Sequence, residues 1–450
     1  MKYLETDPGF YRQAARIAVP VTCQNLITIG VNMMDTIMLG ALGETALSAS
    51  SLANQFINLF QICCMGIGMG AAVLTARYWG NRDRPALRIA ITLALRFCGA
   101  LALLFTLVSL AAPQAVLRLY TGEADVLRQG RVYLLWSLPT FFLGGLSVVA
   151  TNILRSVNLV RVPLYASAAA FFLNVGANYV FIFGKLGMPA MGIAGAALGT
   201  VLARLLEFCV IFGFLLRDRT VHYRLRHLVL DCGTIRGEYI RISVPVLISD
   251  SLLGLGNNAV AMVMGHIGAA FVSANAITTV VQQLSTVFTQ GIAFSAAVVT
   301  GQTLGEGRVE DARRHGYTFF FCSALLGAAA CVVILLLSEP VIGAYHITEQ
   351  TRQIARELMR AIGLIVVFQS MNSVLTKGVL RGGGDTRFLM LADILFLWLL
   401  SVPLGYLAGL VWELPPFWIY LFLKSDQVVK ALWCVGRLRS GKWIKKIRGS

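Results

Sequence analysis

An acid set inside an apolar run is where chemistry is first expected in this chain. Asp35 closes the segment Val31-Asn-Met-Met-Asp35, with Asn32 three residues earlier and so on the same helical face. Asn174 and Asn178, four residues apart, put two amides on one face of another apolar segment. A carboxylate with amide and hydroxyl oxygens nearby suits a hard cation such as Na+, and the same carboxylate can carry a proton. Asp250 and Asp393 are the buried-run acids of the second half, and Arg204 and Glu207 stand three apart in a further run.

Near the middle of a membrane helix such an acid costs about 2.5–3.5 kcal/mol on insertion scales, so each is a functional candidate by default. Structural readings compete with that one. Asp35 lies past the midpoint of its run and could snorkel to the outer surface. Asn174 and Asn178 could bond neighbouring helices. Arg204 and Glu207 are most simply an ion pair that holds helices together, while Asp250 and Asp393 divide evenly between function and pairing. Arg96 has no partner that the sequence identifies.

Other chemistry is thin. The five histidines are scattered singly, and no Ser/His/Asp or metal-type spacing occurs. No Gly-x4-Gly-Lys-Ser/Thr loop is present, so ATP is not an evident energy source. Nine cysteines, including adjacent Cys63 and Cys64, read as reduced packing residues. Gly382-Gly383-Gly384-Asp385 reads as a tight turn. These patterns argue against an enzyme and call for no cofactor.

The elements that must position these residues are membrane helices. Of 450 residues, 57% are hydrophobic and 13% charged, with a mean hydropathy of +0.72. Apolar blocks such as Ile89 to Ala112 and Phe319 to Leu337 reach the ~18–20 residues needed to cross a bilayer. In lipid, backbone groups must bond within their own segment, so these blocks are helices. Twelve spans are expected, near 14–40, 47–76, 88–112, 131–155, 163–184, 192–216, 239–265, 270–301, 314–338, 353–377, 387–410 and 415–436. The last is the weakest, interrupted by Lys424, Asp426 and Lys430. The first dozen residues are polar and mixed in charge, unlike a cleavable signal.

The formal charge of +16 serves topology rather than nucleic acid. Basic residues gather in the N-terminus (Lys2, Arg12, Arg16), the 2–3 loop, the 6–7 connection, the region of Lys377, Arg381 and Arg387, and the tail, including Lys446 and Arg448. The positive-inside rule then puts both termini in the cytoplasm of a cell with these loops facing anionic lipid heads.

The chain also repeats itself. Arg16-Ile-Ala-Val-Pro20-Val21 matches Arg241-Ile-Ser-Val-Pro245-Val246 at an offset of 225, which also aligns Asn32 with Asn257 and Gly80 with Gly305. Leu154-Arg155 and Arg161 match Leu380-Arg381 and Arg387 with the register slipped by one. Six spans per half is an even number, so the halves are parallel repeats that can rock about a cleft. The expected division is an N-lobe over 1–216, a cytoplasmic linker over 217–238 and a C-lobe over 239–450. A two-lobed monomer suffices.

At this point the chain resembles the multidrug and toxic compound extrusion (MATE) family over nearly its whole length. Helix 1 carries Pro20…Asp35-Thr-Ile-Met-Leu-Gly40-Ala-Leu-Gly43. Helices 5 and 6 carry Leu173-Asn174…Ile182-Phe183-Gly184…Gly192-Ile-Ala-Gly195-Ala-Ala-Leu-Gly-Thr200. The second half has Gly301-Gln302-Thr-Leu-Gly305 and Leu380-Arg381-Gly-Gly-Gly384-Asp385-Thr386. The resemblance implies an all-α membrane protein of two pseudo-symmetric six-helix bundles around a V-shaped cavity. It further implies export of organic cations or amphipathic drugs from the plasma (inner) membrane, driven by Na+ or H+.

It maps the coupling acid onto Asp35, the helix 5 asparagine onto Asn174 and the helix 6 threonine onto Thr200. Many members have aspartate where this chain has Asn178; its loss weakens a Na+ site or leaves one that protonates. Asn372 likewise stands where one branch has aspartate, and Asp250 and Asp393 resemble acids of another branch. Two alternatives stand beside antiport. One is a flippase for a lipid-linked precursor, disfavoured because only Arg96 and Arg204 lie deep in the expected spans. The other is a receptor or scaffold without turnover.

Overall fold

The computed structural model describes residues 4–120, 123–219, 221–344 and 347–445. Lys2, Lys446 and Arg448, named above, lie outside the described residues, as does one of the five histidines, His346. Among those described, secondary structure is helical throughout: α1 (Pro8–Gly40), α2 (Glu44–Gly80), α3 (Arg84–Ala111), α4 (Pro113–Arg118), α5 (Ala124–Trp136), α6 (Pro139–Ser156), α7 (Arg161–Phe183) and α8 (Ile193–Arg217). The second half has α9 (Gly233–Ile267), α10 (Ala269–Gly305), α11 (Val309–Ala344), α12 (Glu349–Leu380), α13 (Thr386–Val411), α14 (Pro416–Leu423) and α15 (Ser425–Ser440).

Ten of these are long and apolar enough to cross a membrane by themselves. The span expected as one helix over 131–155 is instead the pair α5–α6, bent by 57°. Pro139 opens α6, and proline lacks the N–H that would continue the ladder. The last span is also a pair, broken at Lys424 between α14 and α15. With α5–α6 taken as one span, up to eleven candidate spans stand among the described residues, against the twelve expected. α12 and α13 contain π turns at Val374–Leu380, Ile394–Ser401 and Leu407–Val411.

Local chemistry sets the helix ends. Asp83 caps α3 by accepting from the Ala86 N–H at 3.0 Å, with proline in the first turn. Thr348 caps α12 through the Thr351 N–H at 3.3 Å.

The backbone divides into two compact units. One, here the N-terminal unit, holds residues 23–75 and 83–247; the other, the C-terminal unit, holds 4–22, 76–82 and 248–445 of the described residues. These bounds differ from the expected 1–216 and 239–450. The N-terminal end of α1 and the C-terminal end of α2 belong with the later helices for a packing reason. A Cβ on Gly80 would stand 2.2 Å from the Gln302 carbonyl oxygen, and one on Gly305 would stand 2.1 Å from that of Arg77. Ser295 also donates to the Ala14 carbonyl at 2.9 Å. Only glycine allows backbones that close.

In the 6–7 connection, expected over 217–238, α9 already begins at Gly233. Arg96, for which the sequence identifies no partner, donates to the carbonyls of Leu228 at 2.9 Å and Leu230 at 3.0 Å. Thr92 adds a bond to the His227 carbonyl at 2.9 Å. The triple-glycine turn is also more than a turn. Trp443 is fully buried beside Gly383, whose added Cβ would lie 2.3 Å from the indole. The Lys445 N–H donates to the Gly383 carbonyl at 3.0 Å.

Candidate functional site

In the N-terminal unit, α1, α7 and α8 bring the expected polar residues together. Asn174 and Asn178 are buried, and Asp35 is half-buried. The Asn178 Nδ2 donates to Asp35 Oδ1 at 2.7 Å and to Asn174 Oδ1 at 3.3 Å. The Asn178 Oδ1 points the other way, against Gly199, where an added Cβ would lie only 2.1 Å from it. That oxygen is buried and receives no hydrogen bond from the described residues. Half-buried Thr200, one residue on, donates to the Ala196 carbonyl at 3.1 Å.

Asn32 does not join this group. Its side chain is exposed, and no hydrogen bond among the described residues links it to Asp35. A residue that the sequence did not flag does join. The buried Tyr133 bonds Asn54 Oδ1 at 3.4 Å and has Thr200 and Asp35 as neighbours. Its only signal was a phenol at the edge of a span, in a helix expected to begin two residues earlier and to run straight.

Arg204 and Glu207 form the expected ion pair, at 2.7 Å. It is one link of a longer chain. The Ser167 hydroxyl donates to Glu207 Oε1 at 2.9 Å, and Gln24 Nε2 donates to Ser167 at 2.8 Å. The buried Arg155 donates to Gln24 Oε1. Arg204 is also an electrostatic neighbour of Asp35, yet among the described residues Asp35 itself forms no ion pair.

The C-terminal unit has its own buried cluster. Arg381 grips Asp250 with two guanidinium nitrogens, at 3.0 and 3.3 Å. Lys430 donates to Asp393 Oδ1 at 2.7 Å, and Asp393 Oδ2 accepts from Ser249. Asp426 lies 3.7 Å from the same ammonium and accepts from Ser401 at 3.0 Å and Gln427 at 2.6 Å. Asn372 is buried and donates to Gln427 at 2.8 Å, so it stands at the edge of this cluster.

This corrects one expectation. Lys377 and Arg381, read as flanking a cytoplasmic loop, are within or at the end of α12, in the electrostatic neighbourhood of Asp250 and Asp393. Lys430 is 2% exposed inside α15. Cations within the expected spans are therefore not limited to Arg96 and Arg204, and a shortage of them no longer disfavours an anionic substrate. The expected span ended at Lys377, whereas α12 continues to Leu380 through a π turn, which has no periodic signature.

Among the described residues, no three His, Cys, Asp or Glu side chains converge as a metal site. The oxygens around Asp35 (Asn174 Oδ1, Thr200 Oγ1 and, after an amide turn, Asn178 Oδ1) are of the type that a transported Na+ accepts. As placed, the nearest group to the carboxylate is an N–H donor.

A family model described as MatE matches residues 20–180 and again 245–407, two stretches that begin at prolines 225 residues apart. A probable multidrug resistance protein NorM of Thermotoga maritima is 24% identical over 98% of this chain and 95% of its own length. The multidrug resistance protein MdtK of Edwardsiella ictaluri is 22% identical over 94% of each. A crystal structure of MATE in the straight conformation superposes with a TM-score of 0.86 at 20% identity, covering 97% of this chain and all (100%) of that one. A Pyrococcus furiosus transporter, described as having a binding pocket of reversed polarity, also gives 0.86 at 20% identity, over 97% and 99% of the two chains.

Proposed function

The chain belongs to the multidrug and toxic compound extrusion family of multidrug efflux transporters, and we propose that it exports amphipathic organic cations in exchange for H+, with Asp35 as the coupling group. The observation that carries this reading is a half-buried carboxylate, without an ion pair among the described residues, that accepts the Asn178 N–H at 2.7 Å. A carboxylate held by a neutral donor is free to change its charge. Proton and cationic substrate then compete for it, and each stabilises the conformation in which the other leaves.

The amide orientation supports H+ over Na+. A Na+ ion at Asp35 needs oxygens, whereas Asn178 presents nitrogen and turns its oxygen toward Gly199. Reorientation of that amide would be the cost of Na+ binding. The basic connections and tail support a plasma-membrane topology with both termini cytoplasmic, and a monomer holds both repeats.

Everted vesicles loaded by imposed gradients test this directly. A pH gradient alone should drive uptake of a fluorescent organic cation, and Asp35→Asn should abolish it. Undiminished transport by that variant at normal expression would sink the assignment of Asp35. Uptake driven by a Na+ gradient at equal pH would replace H+ with Na+.

A further inference from the structure

The segment that leads into α1 is fastened to α11 inside the C-terminal unit. The Glu5 N–H donates to the Thr318 hydroxyl at 2.8 Å, and the Glu5 carbonyl accepts from the Tyr11 phenol at 2.8 Å. Glu5 Oε1 accepts from the N–H groups of Thr6 and Asp7 at 3.0 and 3.2 Å. Its other oxygen, Oε2, stands 3.8 Å from both Arg314 Nη1 and His315 Nε2, with no hydrogen bond among the described residues. Both side chains are nearly closed to solvent, 11% exposed for Glu5 and 9% for His315.

Thr303 fixes which ring nitrogen of His315 carries the proton. Its hydroxyl donates to the Val299 carbonyl at 2.9 Å, so toward His315 Nδ1, 3.3 Å away, it can only accept. The neutral ring is therefore protonated on Nδ1, and Nε2 turns a bare lone pair toward the Glu5 carboxylate. Two acceptors face each other with no hydrogen between them. Phe10 stacks on the imidazole at 4.4 Å and meets Phe319 edge-on at 5.1 Å, which holds the ring in that plane.

Among the described residues, the charged groups around the ring come from three places. Glu5 belongs to the leading segment, Asp311 and Arg314 to α11 itself, and Arg308 to the turn before it. From α10 the ring meets the neutral Thr303, and from α1 it meets Phe10. Arg308 is already engaged by Glu306 and by Asp311 at 3.2 Å, and Arg314 also faces Asp311 at 3.8 Å. The acceptor left for a proton on Nε2 is Glu5.

We propose that His315 and Glu5 form a proton-operated latch on the foot of α1, closed by acid, that slows the transporter. A proton taken from water forms an Nε2–H bond, and the imidazolium then donates to Glu5 Oε2. Phe10 and Phe319 belong to α1 and α11 and stay in place when residues 4–7 lift, so the segment brings the ring a charge rather than dryness. Glu5 meets the imidazolium only in the closed form, so closing takes up a proton and is favoured as pH falls. Residues up to Thr22 group with the C-terminal unit and those from Cys23 with the N-terminal unit, so α1 leads from this latch to Asp35. A fastened foot leaves that helix less freedom to shift. The latch goes beyond the export reading and can be read without transport.

Backbone hydrogen exchange over residues 4–12 tests it, on the full chain in phosphatidylcholine nanodiscs without cargo. Corrected for intrinsic chemistry, protection should rise about tenfold between about pH 7.5 and 5.5, the scale of one charge-assisted hydrogen bond. His315→Gln and Glu5→Gln should each erase the rise. Thr318→Val removes a bond at every pH, so it should lower protection equally at both and keep the ratio. A rise that survives in His315→Gln overturns the latch. So does a rise that disappears in Asp35→Asn, which would trace it to the coupling acid. With a constant pH difference across vesicles, lowering both pH values should slow dye uptake less in His315→Gln than in wild type. Equal slowing overturns the regulatory role. A wild type that moves no dye overturns the export reading and that role with it, while the exchange result still decides the latch.

Discussion

The two units carry the same hydrogen-bond scaffold with different chemistry hung on it. At the offset of 225, Gln24 corresponds to Ser249; in the slipped register, Arg155, Ser167, Thr200 and Arg204 correspond to Arg381, Asp393, Asp426 and Lys430. The Gln24–Ser167 bond of the N-terminal unit is thus the Ser249–Asp393 bond of the C-terminal unit. Arg155 and Arg381 each reach the first helix of their own repeat, at Gln24 and Asp250. What differs is the charge left over. Among the described residues, the N-terminal unit is left with an acid that has no ion pair, Asp35, and the C-terminal unit with bases that have none, Lys377 and Lys424. Duplication preserved where polar side chains meet, and divergence decided which sign is unmatched.

The position of Asp35 makes the contrast sharpest. Its counterpart Val260 is 3% exposed and sits in an apolar core with Met264, Phe271, Ile334, Leu358 and Ile362. One slot is polar and reachable, the other dry.

The largest effect expected is on transport. Asp35→Asn should remove proton-driven efflux while the protein still folds, because a neutral amide of the same shape keeps the hydrogen bond's place; vesicle uptake against a size-exclusion profile separates the two. Next comes the reciprocal change. Val260→Asp puts an unpaired carboxylate into the apolar core and should cost about 3–5 kcal/mol, like other uncompensated buried charges. Its apparent Tm in detergent should fall by several degrees, and a Tm within a degree of wild type would dissolve the contrast between the slots.

Breaking the buried pair of the C-terminal unit is expected to cost a similar or slightly smaller amount. Lys430→Met strands Asp393 and Asp426, at roughly 3–5 kcal/mol, whereas Lys430→Met with Asp393→Ser should recover much of it. A double-mutant cycle on thermal stability reads the coupling; simple additivity would mean that the pair is not a unit. Gly199→Ala drives a methyl toward Asn178 Oδ1, an overpacking of about 1–3 kcal/mol. It should also shift the Asn178 N–H off Asp35 and slow transport more than it lowers Tm. Tyr133→Phe should have the smallest effect, about 0.5–1.5 kcal/mol for one hydrogen bond to Asn54, with efflux slowed a few-fold. A larger loss of efflux at unchanged stability would move Tyr133 to the centre of the site.

Membrane class, duplication and the acid were legible from residue order alone. Runs such as Phe319 to Leu337 have no stable option but a spanning helix, because lipid offers the backbone no partners. Prolines, glycines and arginines repeating at 225 residues are not supplied by an apolar composition. Asp35 was visible because an acid in such a run is expensive, and Asn174 and Asn178 because spacing of four puts them on one face. Spacing also suggested Asn32, which the structure leaves outside the group. Sharing a face with Asp35 says nothing of which neighbour that face meets, and Asn32 is exposed.

The partners were set by packing in three dimensions. Arg96 finds carbonyls more than 130 residues away, and Asp250 and Asp393 find Arg381 and Lys430. Such contacts join helices through their packing angles and through π turns and proline breaks, none of which has a periodic signature. The sign of the charge left unpaired in each unit follows from those partners. It is a property of three-dimensional neighbours, so no count of acids and bases along the chain could have located it.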